Sequence, residues 1–271
     1  MMAKIFEISR SGYYSYINRK ESKRSLNNKK ILDKIKSIHN ESRKIYGSPR
    51  IHHALKKENV VCGLNKVARI MKENNIYSIV KKKHKPYSNL KHNADLVSDN
   101  ILSREFTVSN PNEKWVSDIT YIWTTEGWLY LCVIIDLFSR AVVGWSMDKN
   151  VDTNLVVDAL KMAVLNRKPK KMVLFHSDRG CQYTSHKLQK YLKDINMISS
   201  MSRKGNCWDN ACSESFFHTL KTELIYHNKY YTRETARIAI FEYINVFYNR
   251  KRMHSYLGFM SPLEFEKKGS A

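Results

Sequence analysis

Apolar positions follow two different periods, and the change from one to the other divides the chain. In residues 1–40 an aromatic group, Tyr13, Tyr14 and Tyr16, follows Ser11-Gly12. A basic stretch from Arg19 to Lys36 comes next, with Ile31, Leu32, Ile35 and Ile38 at helical spacing, which predicts a short helix, a turn and a longer helix. From Tyr46 to Tyr77 the period stays helical. Gly47-Ser48-Pro49 opens a helix with Ile51, Ala54 and Leu55 on one face, residues 59–63 break it, and a second helix over 64–75 turns Val67, Ile70 and Met71 inward. Two short helices about a tight break read as a helix-turn-helix.

Beyond Pro111 the texture becomes β-rich. Runs at 114–123, 128–136 and 140–147, separated by short polar breaks, predict three consecutive antiparallel strands. A helix over 153–165, a strand at 172–175, a helix over 185–195, a strand at 199–201 and long helices over 209–226 and 233–248 follow. The fold class is therefore α/β, a mixed sheet flanked by helices, behind an all-α N-terminal region. The expected organisation is a basic helical region (1–40), a helix-turn-helix unit (41–85), a linker (86–110) and a catalytic-type α/β unit (111–271). The linker is announced by Lys81, Lys82, Lys83, Lys85 and Pro86.

Charge adds a partner to this outline. Lysine and arginine number 47 against 25 aspartates and glutamates, a formal net charge of +22 over 271 residues. Residues 1–110 carry net +15 of it and residues 111–271 the remaining +7. A field of that sign gathers polyanions, nucleic acid first among them. In a helix-turn-helix the second helix usually enters the major groove, where this one would present Lys66, Arg69 and Lys72. A plain helical hairpin has the same pattern, and the charge favours DNA. No run reaches the length of a membrane span and no signal-peptide core begins the chain, so a cytoplasmic, nucleoid-associated prokaryotic protein is expected. The five cysteines, Cys62, Cys132, Cys181, Cys207 and Cys212, lack paired spacing and read as reduced thiols. Cys207 and Cys212 read as packing residues.

Three carboxylates carry the chemistry. Asp118 lies inside the first strand, and Asp178 follows the apolar strand at 172–175 within His176-Ser177-Asp178-Arg179-Gly180. Glu214, with 35 residues between it and Asp178, lies on a later helix that could aim it at the same point. Chemistry in open α/β sheets sits beyond the carboxyl ends of strands. Three converging carboxylates suit two hard cations of the kind that promote in-line displacement at phosphorus. Singly, each acid has an ordinary reading: Asp118 paired with Lys114, Asp178 capping a turn, Glu214 solvated. Asp136 reads as a turn residue paired with Arg140, and Asp209-Asn210 as the cap of the helix that presents Glu214. His218 is a helix-face histidine of little use to magnesium.

The joint pattern is more specific. Trp115-Val116-Ser117-Asp118-Ile119-Thr120-Tyr121, Asp136 to Arg140, His176 to Tyr183, Ser200 to Asn206, Asp209-Asn210-Ala211 and Glu214-Ser215-Phe216-Phe217 stand in one order. Tyr248-Asn249, Arg252, His254, Leu257-Gly258, Ser261-Pro262 and Phe265 complete it. Over nearly its whole length the chain resembles the OrfB transposases of the insertion-sequence-three family, within the retroviral-integrase group with a ribonuclease-H-like fold. The resemblance implies that Asp118, Asp178 and Glu214 bind magnesium, with manganese as a substitute. It gives Lys221, seven residues after Glu214, a DNA contact, and residues 46–76 a helix-turn-helix role. The paired His and Cys zinc site of retroviral integrases has no counterpart here, so zinc is not expected.

That family implies cleavage of a phosphodiester at the element's end, then attack of the freed 3′ hydroxyl on a second phosphodiester, with no nucleotide cofactor. The implied partners are terminal inverted repeats and target DNA, a homo-oligomer on DNA, and an upstream-frame product fused or associated. A DNA-binding repressor without catalysis, and a nuclease acting on RNA:DNA hybrids, are the competing readings.

Overall fold

The computed structural model describes residues 9–80, 97–203 and 207–269. The lysine run from Lys81 to Lys85, and Lys204-Gly205-Asn206 of the motif, lie outside the described residues. Two compact units divide the chain, Met1–Ile79 and Val80–Ala271.

In the first unit α1 (Arg10–Ile17) precedes α2 (Lys23–Glu41), α3 (Ser48–Lys57) and α4 (Leu64–Glu73). Ser22 caps α2, its hydroxyl accepting from the Ser25 N–H, and Pro49 sits in the first turn of α3, where a missing N–H costs nothing. The apolar faces predicted for the three longer helices meet: Ile31, Ile35, Ile38, Ile51, Leu55, Val67, Ile70 and Met71 are all buried. Between α3 and α4 the chain reverses through Asn59 in the left-handed conformation (φ 59°), and the His52 ring holds the Cys62 carbonyl at 3.1 Å.

The second unit is built on five strands, β1 (Lys114–Thr124), β2 (Gly127–Asp136), β3 (Val142–Asp148), β4 (Val173–Ser177) and β5 (Met197–Met201), in the order β3-β2-β1-β4-β5. β1, β2 and β3 form the antiparallel meander that the alternating pattern predicts. β1 and β2 are joined by the two-residue loop Thr125-Glu126, and Gly127 opens β2 at φ 108°, a backbone that favours glycine. β4 and β5 run parallel to β1. All five residues of β4 are buried, as a parallel strand covered on both faces requires.

Helices α5 (Thr153–Arg167) and α6 (His186–Asp194) cover the core of Trp115, Ile134, Leu160, Phe175 and Leu192. The close approach of α5 depends on Gly144 in β3, where an added Cβ would meet the Ala159 carbonyl oxygen at 2.3 Å. Next come α7 (Ala211–Glu223), α8 (Arg233–Glu242) and α9 (Pro262–Gly269). The single long helix predicted over 233–248 is α8 continued by a π-helical turn, Tyr243–Tyr248, which sets Tyr243, Ile244, Phe247 and Tyr248 all into the interior. Residues 97–106, part of the expected linker, lie against β5: the Ser200 hydroxyl accepts from the Ile101 and Leu102 N–H groups, and Leu102 is fully buried. Among the described residues no helix is long and apolar enough to cross a membrane.

Candidate active site

The parallel pairing of β1 with β4 decides where the first two carboxylates stand. Trp115 registers with Phe175 and Val116 with His176; Asp118 and Asp178 each lie two residues further on. Both are half-buried. One oxygen of Asp118 accepts from the Ile119 N–H at 2.8 Å, and one of Asp178 from the Gly180 N–H at 2.9 Å. Gly180 lets the chain turn back over Asp178: a Cβ there would come within 3.1 Å of that carboxylate and 2.9 Å of the Gln182 amide oxygen. Behind Asp118 the Ser117 hydroxyl bonds the Tyr183 phenol at 2.9 Å, and Tyr183 and Cys132 are wholly buried. Burial pushes the Cys132 thiol up to about 12 and the Tyr183 phenol well above its usual range.

Glu214 stands in the first turn of α7. Its side chain reaches solvent, yet partial burial of the carboxyl raises its pKa. Asp118 is raised well above the usual carboxylate range by burial, then by the charge of Asp178, with Glu214 adding to it; the Ile119 N–H and Lys221 oppose the shift. The three acids thus share one electrostatic neighbourhood. They do not close into a coordination sphere, since among the described residues no three His, Cys, Asp or Glu side chains are placed to hold one ion. The donor chemistry still fits a hard divalent cation, because only added positive charge lets repelling, partly desolvated carboxylates ionise together.

The expected cap of α7 requires correction. Asn210 is the capping residue, but it makes no side-chain cap bond. Its amide instead donates to the Ser117 carbonyl at 3.2 Å, tying the start of the Glu214 helix to the strand residue before Asp118. Asp209, fully buried, accepts from the Arg203 side chain and N–H, from Arg104 Nε at 2.8 Å and from the Asn100 amide at 2.8 Å. Burial acts to raise its pKa, and the guanidinium partners outweigh it, holding Asp209 far below the usual range. Two guanidinium groups compete for this carboxylate better than helix N–H groups do, which is why it does not cap.

Asp136 is likewise corrected. Its carboxylate accepts from the Asn112 and Phe138 N–H groups and faces Arg167 at 4.0 Å, as a turn residue does. Arg140 meets it only through a backbone bond, and its guanidinium goes to Cys212 Sγ at 2.5 Å and over the Tyr256 ring. Lys114 pairs with Glu105, not Asp118.

Lys221 lies two turns along α7 from Glu214, its ammonium 4.9 Å from the Tyr121 ring centre. Burial lowers its pKa while Asp118 acts to raise it. Lys66, Arg69 and Lys72 belong to α4 in the other unit, Lys66 half-buried and the other two exposed, with Arg69 3.6 Å from Glu73. Sequence reasoning missed the Asn210 tie, the Asp209 hub and the exposed rings of Tyr121, Trp123 and Trp128; only the rings left a signal, in their alternation with Ile122.

Known proteins share sequence and fold with this chain. Models described as Integrase core domain match residues 108–207 and 214–269, and one described as HTH-like domain matches residues 26–84. The chain is similar to Transposase InsF for insertion sequence IS3A of Escherichia coli (strain K12), 41% identical over 272 residues, covering 100% of this chain and 94% of that one. It is 38% identical to the insertion element IS600 uncharacterized 31 kDa protein of Shigella sonnei, over 98% of each. A chain of the simian T-cell lymphotropic virus intasome in complex with PP2A regulatory subunit B56 gamma shares the fold, with a TM-score of 0.50 and 14% identity over 85% of this chain and 73% of that one.

Proposed function

The chain belongs to the transposases of the insertion-sequence-three family, enzymes with an integrase core domain, and from that premise we propose that it cleaves and joins DNA strands at Asp118, Asp178 and Glu214. The observation that carries the reading is the shared neighbourhood of the three acids, Asp118 within β1 and Asp178 just past β4 at matched places of the parallel register, and Glu214 on α7. Magnesium, held by these carboxylates, would supply activation of the attacking oxygen and charge for the leaving oxygen. Asn210 fixes the start of α7 against β1, so the Glu214 carboxylate keeps its distance from Asp118. Lys221 holds a phosphate beside the acids as a point charge. Water attacks a phosphodiester at the element's end, breaking its P–O3′ bond and releasing a 3′ hydroxyl and a 5′ phosphate; that hydroxyl attacks a second phosphodiester, displaces the 3′ oxygen of the attacked strand as a new 3′ hydroxyl, and the strands join. Positioning and charge neutralisation account for catalysis, and no nucleotide is consumed.

Residues 41–85 then serve to recognise the terminal repeats through Lys66, Arg69 and Lys72, and residues 111–271 carry the chemistry. Two ends must meet, so the working form is an oligomer on DNA, joined or accompanied by an upstream-frame product. The test is magnesium-dependent nicking and joining on duplexes bearing the element's ends, with Asp178→Asn and Glu214→Gln beside the unaltered chain and an upstream-fused form. Loss of both reactions with binding retained supports the reading. Activity surviving both substitutions, or binding without cleavage in every form, leaves a DNA-binding protein only.

A further inference from the structure

The hairpin that carries Asp118 ends in aromatic rings for which the chemistry above has no use. Along β1 burial alternates: Thr120, Ile122 and Thr124 are buried, while Tyr121 and Trp123 are 53% and 59% exposed. Across the hairpin Trp123 registers with Trp128, itself 42% exposed. Trp128 stands edge-to-face with both neighbours, 5.1 Å from Tyr121 at 85° and 4.8 Å from Trp123 at 73°. Such packing fixes ring orientation before anything binds. The rings line a groove of about 680 Å³, walled opposite by the end of α7 and the segment after it, where Tyr226, Lys221 and Lys229 lie. No acidic side chain lines it among the described residues.

A stacked duplex hides its base faces and offers phosphates, for which lysines alone would suffice. Exposed ring faces beside cations match a nucleotide whose base is out of the stack, because every base has a π-face and carries a phosphate with it. A groove with two lysines and no acid favours a polyanion over an apolar protein segment. We infer that this groove binds unpaired nucleotides of DNA, bases stacking on Trp123 and Tyr121 and phosphates meeting Lys221 and Lys229. The inference rests on the DNA-processing reading and gives it a substrate form: an end frayed beside the acids, one strand laid along the hairpin.

Fluorescence anisotropy on the full chain tests it, with a labelled oligodeoxythymidine strand and a blunt duplex of equal length as probes. Tyr121→Ala and Trp123→Ala should each weaken strand binding by about tenfold, the scale of losing one stacking ring, while duplex affinity holds. Trp123→Phe, which keeps a ring, should recover most of the loss. Unchanged strand affinity in the alanine variants, or equal losses on strand and duplex, overturns the inference. So does unchanged strand affinity with a shift toward monomer in sedimentation, which assigns the groove to a second copy of the chain. Magnesium-dependent nicking, measured on the same preparations, separates the two ideas. Nicking with ring-independent strand binding removes only the groove, whereas ring-dependent binding in a protein that nicks no DNA keeps the groove and removes the enzymatic reading.

Discussion

Asp118 within β1 and Asp178 just past the end of β4 stand at matched places, each two residues past Val116 and His176, the last pair that the parallel register joins. Burial makes Asp118 costly to charge, and the repulsion of Asp178 adds to that cost, so its pKa is raised. A carboxyl whose folded pKa lies above its unfolded value destabilises the fold when ionised at neutral pH. Asp118→Asn should therefore raise the thermal midpoint in chelator, by on the order of 2–4 °C for each kcal/mol relieved. Magnesium should raise the midpoint of the unaltered chain and leave the variant unmoved. A lower midpoint for the variant in chelator would mean that Asp118 is held by attraction, not strained by burial and repulsion.

Asn210 tests positioning apart from chemistry. Its amide reaches the Ser117 carbonyl, one residue before Asp118, from a place four residues before Glu214. Asn210→Ala frees the start of α7 without touching any of the three acids. Turnover should fall by about tenfold to a hundredfold, the range that small misplacements of reacting groups produce, with duplex affinity unchanged. A parallel fall in affinity and turnover would instead make Asn210 a folding residue.

The far end of α7 is anchored by a buried ion pair. Arg252 Nη2 lies 2.7 Å and Nε 2.9–3.1 Å from the Glu223 carboxylate, which also accepts from the Tyr243 phenol at 2.7 Å. Removing one partner strands a charge in the interior. Arg252→Ala should cost about 3–5 kcal/mol in chemical denaturation, and Arg252→Met with Glu223→Leu should recover much of it. A loss under about 1 kcal/mol for the single variant would place the pair in water, where such contacts contribute little.

What could be read beforehand followed local pattern. The period-two runs at 114–123, 128–136 and 140–147 carry the meander, because each strand pairs with its sequence neighbour. Helical spacing at Ile51, Ala54 and Leu55, and at Val67, Ile70 and Met71, similarly carries the two short helices. The misjudged residues depend on distant partners. Asp209 is captured by Arg104, over a hundred positions away, and Asp136 is held by the Asn112 and Phe138 N–H groups and faces Arg167, not nearby Arg140. No local rule foretells the π turn at Tyr243–Tyr248, which sets four large side chains into the interior. The matched places of Asp118 and Asp178 follow from the parallel pairing of β1 with β4, invisible until topology is known.

His39 sets an acid limit for the first unit. It is 6% exposed, and its Nε2 faces the Tyr77 carbonyl at 3.2 Å, so that nitrogen carries the hydrogen of a neutral ring. Burial, then the charge of Lys44, lowers its pKa below the ordinary value. The unfolded chain gains this proton at about pH 6.5 while the folded chain does not, so the unfolded state is favoured as pH falls through that region. The neutral ring's contribution is full above about pH 6.5 and declines from there toward the lowered folded value. Thermal midpoints at about pH 7.5 and about pH 5.5 should separate further for the unaltered chain than for His39→Gln, whose amide donates to Tyr77 without titrating. Equal separations would show that His39 takes up its proton alike in both states, and would shift the search for the acid-sensitive group elsewhere in the unit.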